Sequence, residues 1–181
     1  ILAGDALQPL AFEFISNLDT SDSNKISIVN CLANACGYLG MVGGQIKDIH
    51  SKEINTVHDL DIIHSQKTGR LIQASLETSG ILSGLDQKDI DSLSKYGEKI
   101  GLAFQIQDDI IDIESPSSIS GKDQGSDMSQ DKITYPSIVG LEESRTRARE
   151  LASEAKEILH LSQKNTDNLH KLADYIVQRK T

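Results

Sequence analysis

The stretch Gly101-Leu102-Ala103-Phe104-Gln105-Ile106-Gln107-Asp108-Asp109-Ile110-Ile111-Asp112 decides how the rest of the chain is read. Wound as a helix at about 100° per residue, it sorts into two unequal parts. Gly101, Gln105, Asp108 and Asp112 share one narrow stripe, while Ile100, Leu102, Ala103, Phe104, Ile106, Ile110, Ile111 and Ile113 surround it. A helix that is apolar nearly all round is a buried helix. Carboxylates on such a helix are costly unless a cation or hydrogen-bond donors compensate them. The stripe is therefore expected to face a polar cavity that holds metal ions. The alternative for Asp108, Asp109 and Asp112 is an exposed acidic helix face, which the apolar surround disfavours.

Beyond this stretch, 181 residues suffice for one well-filled core, so one domain is expected. The net charge of -9 argues against a broad nucleic-acid surface or an anionic membrane as partner. It leaves room for an anionic ligand held through metal ions, which invert the local field. Cys31 and Cys36 lie in an apolar helical pattern and read as reduced core thiols of a reducing compartment, with a disulfide or metal pair as the alternative. No run reads as approaching the roughly 20 apolar residues of a membrane helix, so no membrane span is expected.

Helical periodicity runs through the whole chain, and no alternating strand pattern stands against it, so the class is all-α. Ala3, Leu7, Leu10 and Phe14 mark one face of a first helix, in which Pro9 should introduce a kink or mark the true start. One helix is expected over 26–49, packing through Ile28, Leu32, Ala35, Leu39, Val42 and Ile46. Its glycines, Gly37, Gly40, Gly43 and Gly44, lack the preceding strand that a dinucleotide fingerprint needs. They read as sites of close helix approach, or as room for a ligand beside Gln45 and Asp48. Thr56, with Asp59 three residues on, caps a third helix reaching about Ser79. Leu60, Ile63, Lys67, Leu71 and Ala74 share its inward face, and an inward lysine implies an anion nearby. Asp86 begins the helix that carries the opening stretch and ends near Glu114. The polar segment 115–132 reads as a long functional loop. Tyr135-Pro136 opens further helices, with two polar ones expected over 144–162 and 166–180.

Asp108 and Asp112 stand one turn apart and reach the same side of a cavity. Hard oxygen ligands select Mg²⁺, which keeps waters and binds through one or two carboxylates plus substrate phosphates. Lys67 and Lys122 are candidate phosphate contacts, and Thr68 and Gln105 supply directed hydrogen bonds. Together these residues would suit a Mg²⁺–diphosphate site.

The chain also resembles the trans-polyprenyl diphosphate synthases, most closely the bacterial farnesyl type. Phe104-Gln105-Ile-Gln-Asp108-Asp109-Ile-Ile-Asp112 is similar to their second aspartate-rich motif, and His64-Ser-Gln-Lys67-Thr68-Gly69 to their Lys-Thr-Gly motif. Gly121-Lys122-Asp-Gln-Gly125-Ser-Asp127 and Lys132-Ile-Thr134-Tyr135-Pro136 resemble the loop and helix that follow. Gly4-Asp5-Ala-Leu-Gln and Met41-Val-Gly-Gly44-Gln45 fit as well, in the family's order.

The resemblance implies an antiparallel helical bundle of the isoprenoid synthase type, working as a homodimer, with residues 1–181 as the C-terminal part of one synthase domain. It implies condensation of isopentenyl diphosphate with dimethylallyl or geranyl diphosphate to give farnesyl diphosphate, with Mg²⁺ as cofactor. It implies Asp108 as Mg²⁺ ligand, supported by Asp112 and Asp109. Lys67, Lys122 and, more distantly, Gln45 would bind diphosphate, while Lys67, Thr68 and Gln105 would act on the reacting allylic group. The family's first aspartate-rich motif is not found, so the bundle is expected to be incomplete on its N-terminal side, part of a longer protein and inactive alone. The rival readings are a non-catalytic synthase-like regulatory subunit and a synthase of longer chains such as geranylgeranyl diphosphate.

Overall fold

A computed structural model describes residues 1–50, 56–114, 133–159 and 164–180. Every element among the described residues is helical, in agreement with the all-α expectation. In chain order the α-helices are α1 (Leu2–Ser16), α2 (Asp22–Cys36), α3 (Met41–Ile49), α4 (Val57–His64), α5 (Arg70–Leu82), α6 (Gln87–Glu114), α7 (Tyr135–Val139), α8 (Leu141–Leu159) and α9 (Asp167–Gln178). A π-helical turn, Ser65–Gly69, joins α4 to α5.

The start signals read from the sequence operate as expected. The Thr56 hydroxyl accepts from the Asp59 N–H at 3.2 Å, and the Asp86 carboxylate accepts from the Asp89 N–H at 2.9 Å. Each satisfies a donor that an α-helix leaves free in its first turn. At α7 the Thr134 N–H donates to the Ser137 hydroxyl at 3.0 Å, with proline in the first turn of the helix.

Helix α6 is the axis of the core. Ile100, Ala103, Ile106 and Ile110 pack with Ala148, Leu151, Ala152, Ala155 and Leu159 of α8, Ala173 and Ile176 of α9, and Leu60 and Ile63 of α4. Each fully buried isoleucine or leucine contributes about 1.5–3 kcal/mol relative to exposure. The Tyr96 hydroxyl pins α9 by donating to the Leu169 carbonyl at 2.7 Å.

The N-terminal third departs from the sequence reading. The single helix expected over 26–49 is two helices. At Gly40 the backbone leaves the helical region (φ −119°, ψ −128°), and a Cβ there would stand 2.1 Å from the Ala35 carbonyl oxygen. A side chain has no space at that corner, so glycine permits it. Within Asp22–Ile49 an 18-residue window is, by length and composition, apolar enough to cross a membrane. That corrects the expectation that no run comes close, although the break at 37–40 divides the segment. Pro9 lies inside α1, well past its start. Leu7, Leu10, Phe14, Leu39, Val42 and Ile46, all expected to pack, are exposed, whereas Ile28 and Ala35 are buried. Cys31 and Cys36 are free thiols, half-buried instead of in the core. The segment 115–132 lies outside the described residues.

Candidate functional site

The site is built around the π-turn. The backbone is right-handed helical on both sides of Ser65–Gly69, at His64 (φ −60°, ψ −44°) and Arg70 (φ −59°, ψ −39°). An i→i+5 turn carries an extra residue and rotates everything after it relative to α4. The inward face expected from the sequence is therefore not continuous. Leu60, Ile63 and Ala74 are buried, but Lys67 and Leu71 are only half-buried.

Two glycines, one on α3 and one on α6, bring their helices close against this turn. A Cβ on Gly44 of α3 would lie 2.3 Å from the Lys67 backbone nitrogen, and a Cβ on Gly101 of α6 would lie 2.6 Å from the Gly69 Cα. Both are well inside van der Waals contact, so only glycine allows the backbones to meet. One helical turn beyond each glycine stands a partner for a side chain of the turn. Asp48 accepts from the Lys67 ammonium at 2.5 Å, and Gln105 Oε1 accepts from the Thr68 hydroxyl at 2.9 Å. Lys47 adds a bond to Gln66 Oε1 at 2.8 Å. The structure thus brings Lys67, Thr68 and Gln105 together, as the sequence suggested. It settles the role of Gly44 as close approach, with the facing space filled by backbone.

Asp108, Asp109 and Asp112 of α6 separate into different environments. Asp108 is 39% exposed and accepts from Arg179 Nη2 at 3.2 Å. Asp112, one turn on, is half-buried. Asp109 is 1% exposed. Its Oδ2 accepts from the Tyr135 N–H at 2.9 Å and lies 3.8 Å from His64 Nε2, while Oδ1 accepts from Gln105 Nε2 at 3.3 Å. Both oxygens of Asp109, expected from the sequence to support the metal, are engaged, one by the start of α7 and the other by the Gln105 amide. Gln45 is exposed on α3 and makes no hydrogen bond to the turn among the described residues. Lys122 lies outside the described residues.

Among the described residues no cluster of three or more His, Cys, Asp or Glu side chains forms a ready cation site. Asp108 and Asp112 nonetheless suit Mg²⁺: they are hard oxygen donors on one face, and the ion ordinarily takes few protein ligands and completes its shell with water and phosphate.

Arg179 is the residue the sequence did not reveal. Its guanidinium bonds the Phe104 carbonyl at 3.3 Å as well as Asp108, and its Cζ lies 4.2 Å from the Phe104 ring centroid. Gln107 Nε2 donates to the Arg179 carbonyl at 3.0 Å. A basic residue 71 positions from Asp108 carries no local pattern that would have linked them.

A cavity of about 420 Å³ opens between α4, the π-turn, α5, α6 and α8, lined by Ser65, Gln66 and Gly69 of the turn and by Asp61, Arg70 and Arg147 among others. Burial raises the Asp61 carboxyl above its ordinary range. None of the stripe residues Gln105, Asp108 and Asp112 lines this cavity.

Residues 1–176 match the family model described as polyprenyl synthetase. The chain is 43% identical over 187 residues to a farnesyl diphosphate synthase of Escherichia coli, covering 99% of this chain and 62% of the relative. It is 40% identical to a geranylgeranyl diphosphate synthase of Cyanophora paradoxa, covering 99% and 61%. Among solved structures, a geranylgeranyl pyrophosphate synthetase of Geoglobus acetivorans superposes with TM-score 0.86 at 30% identity, covering 99% of this chain and 66% of that one. A geranyltransferase of Helicobacter pylori, complexed with magnesium and isoprenyl diphosphate, superposes with TM-score 0.83 at 30% identity, covering 97% and 58%. The chain spans about three fifths of the length of the curated relatives it matches.

Proposed function

The chain belongs to the polyprenyl synthetase family, and from that premise we propose that the whole protein condenses isopentenyl diphosphate with an allylic diphosphate, dimethylallyl or geranyl, to form farnesyl diphosphate. The observation that carries this reading is the packing of the Lys67–Thr68 turn onto the α6 stripe, closed by the Thr68–Gln105 hydrogen bond. The Thr68 hydroxyl meets Gln105 on the stripe that carries Asp108 and Asp112 further along α6, and Lys67 is the neighbour of Thr68 in the turn.

Asp108 and Asp112 would hold Mg²⁺, which when bound would supply positive charge to stabilise a departing diphosphate. The Lys67 ammonium, held by Asp48 at 2.5 Å, is the cation of the turn, and diphosphate oxygens of the substrate would compete with Asp48 for it. As the allylic C–O bond breaks, its electron pair leaves with the diphosphate and the allylic carbons become cationic. The Thr68 hydroxyl and the Gln105 carbonyl oxygen are dipoles positioned to face that charge, fixed beforehand by their mutual bond. The isopentenyl double bond then forms the new C–C bond, and a proton is lost. The apolar sides of α6 limit water, which would otherwise trap the cation.

A geranylgeranyl product is the second reading, supported by the similarity to the Cyanophora protein. The exposed apolar side chains of α1–α3 support a homodimer, and the two free thiols support a cytoplasmic setting. The test is product analysis of the intact protein with isopentenyl diphosphate, each allylic diphosphate and Mg²⁺. A C15 product supports the first reading and a C20 product the second. No elongation by a folded, intact protein refutes both.

A further inference from the structure

We propose that Arg179 is a built-in counter-cation that holds Asp108 while no metal is bound, and that it must be displaced before Asp108 can ligate Mg²⁺. This rests on the reading of the α6 stripe as a metal–diphosphate clamp and adds a control on how that clamp is loaded.

Four contacts place Arg179 there. Nη2 lies 3.2 Å from Asp108 Oδ1 and 3.3 Å from the Phe104 carbonyl oxygen. The guanidinium stacks over the Phe104 ring, and the Arg179 carbonyl accepts from Gln107 Nε2. Phe104, Gln107 and Asp108 all belong to α6, so the arginine is seated against the flank of the stripe and reaches it at Asp108. Its side chain is only 12% exposed, against 39% for Asp108. Arg179 follows directly on α9, whose last backbone bond is Arg179 N–H to the Tyr175 carbonyl at 2.9 Å.

The guanidinium donates to one oxygen of Asp108, the side of the carboxylate that the ion pair occupies. A small divalent cation at that oxygen would stand within a few ångströms of a fixed positive charge, a repulsion that a partly exposed site screens only in part. Binding Mg²⁺ therefore requires Arg179 to swing away, and its contacts to Phe104 are given up at the same step. Metal loading and release of the segment after α9 become two sides of one equilibrium.

The test uses Mn²⁺ as a spectroscopic probe, with free and bound ion measured by electron paramagnetic resonance on the intact protein in the presence of inorganic diphosphate. Arg179→Gln should tighten Mn²⁺ binding by about two- to fivefold, the scale of a partly exposed ion pair. Arg179→Lys, which keeps the charge but loses the planar contact to Phe104, should fall between the two. In an Asp108→Asn background the Arg179→Gln effect should vanish, and equal thermal melting of the metal-free variants confirms that folding is not the cause. An affinity unchanged or weakened by Arg179→Gln overturns the proposal and leaves the clamp reading standing. Failure of the wild-type protein to bind Mn²⁺ with diphosphate overturns both.

Discussion

Gly101→Ala tests the packing on which the site depends. The new Cβ would lie 2.6 Å from the Gly69 Cα and 3.5 Å from the Gly69 carbonyl carbon and oxygen. Carbon atoms rest at about 3.5–4.0 Å, so α6 and the π-turn must part by about 1 Å. Both partners are backbone, and no flexible side chain can absorb the shift. Overpacking of this kind costs about 1–3 kcal/mol, while alanine regains up to about 1 kcal/mol of helix propensity. The net loss is about 1–2 kcal/mol, a fall in Tm of roughly 2–8 °C for a domain of this size. Gly69→Ala is the control. Its Cβ would meet the His64 carbonyl oxygen at 3.7 Å and Ser65 Cβ at 4.0 Å, both ordinary contacts. Thermal melts followed by circular dichroism should rank the wild type and Gly69→Ala together, with Gly101→Ala clearly below. A Gly101→Ala protein that melts at or above wild type would refute the close approach and, with it, the fixed Thr68–Gln105 geometry.

Asp109→Ala should be much more harmful to folding than Asp108→Asn. It strips the acceptor from the buried Tyr135 N–H, a loss of about 1–3 kcal/mol or more, readable as a lower urea midpoint, whereas Asp108→Asn should stay within about 0.5 kcal/mol of wild type. The Cys31 thiol is pushed up to about 12 by burial, with the adjacent Glu77, 3.1 Å from its sulfur, raising it further. A raised thiol pKa keeps the sulfur protonated and unreactive well above neutral pH, so at pH 8 iodoacetamide should label Cys36 faster than Cys31. Glu77→Gln removes the repelling charge, lowers the Cys31 pKa and should speed its labelling; mass spectrometry of the peptides reads both effects.

Much of this architecture is legible in the sequence because local signals and burial agree. The α6 stretch is apolar nearly all round and is the axis of the core, and the caps at Thr56 and Asp86 act where the pattern places them. The readings that fail involve backbone geometry or distant partners. Helical periodicity runs through Gly37–Gly40 without marking the corner, because apolar residues on both sides keep the same spacing. The π-turn at Ser65–Gly69 leaves no compositional trace, yet it determines which way Lys67 and Thr68 project. Asp108 and Asp109 are neighbours in sequence, and only the helix phase sends one towards Arg179 and the other towards Tyr135. The exposed apolar faces of α1–α3 read as core because periodicity reports amphipathicity and not what covers the apolar side.

Calorimetric titration of the intact protein with inorganic diphosphate, with and without Mg²⁺, tests the metal–diphosphate clamp most directly. Binding should require Mg²⁺ and should weaken about tenfold or more in Lys67→Ala and in Asp108→Asn, each of which removes one charge from the clamp. Equal binding without Mg²⁺, or undiminished binding by both variants, would contradict the assignment of this face of α6 to diphosphate.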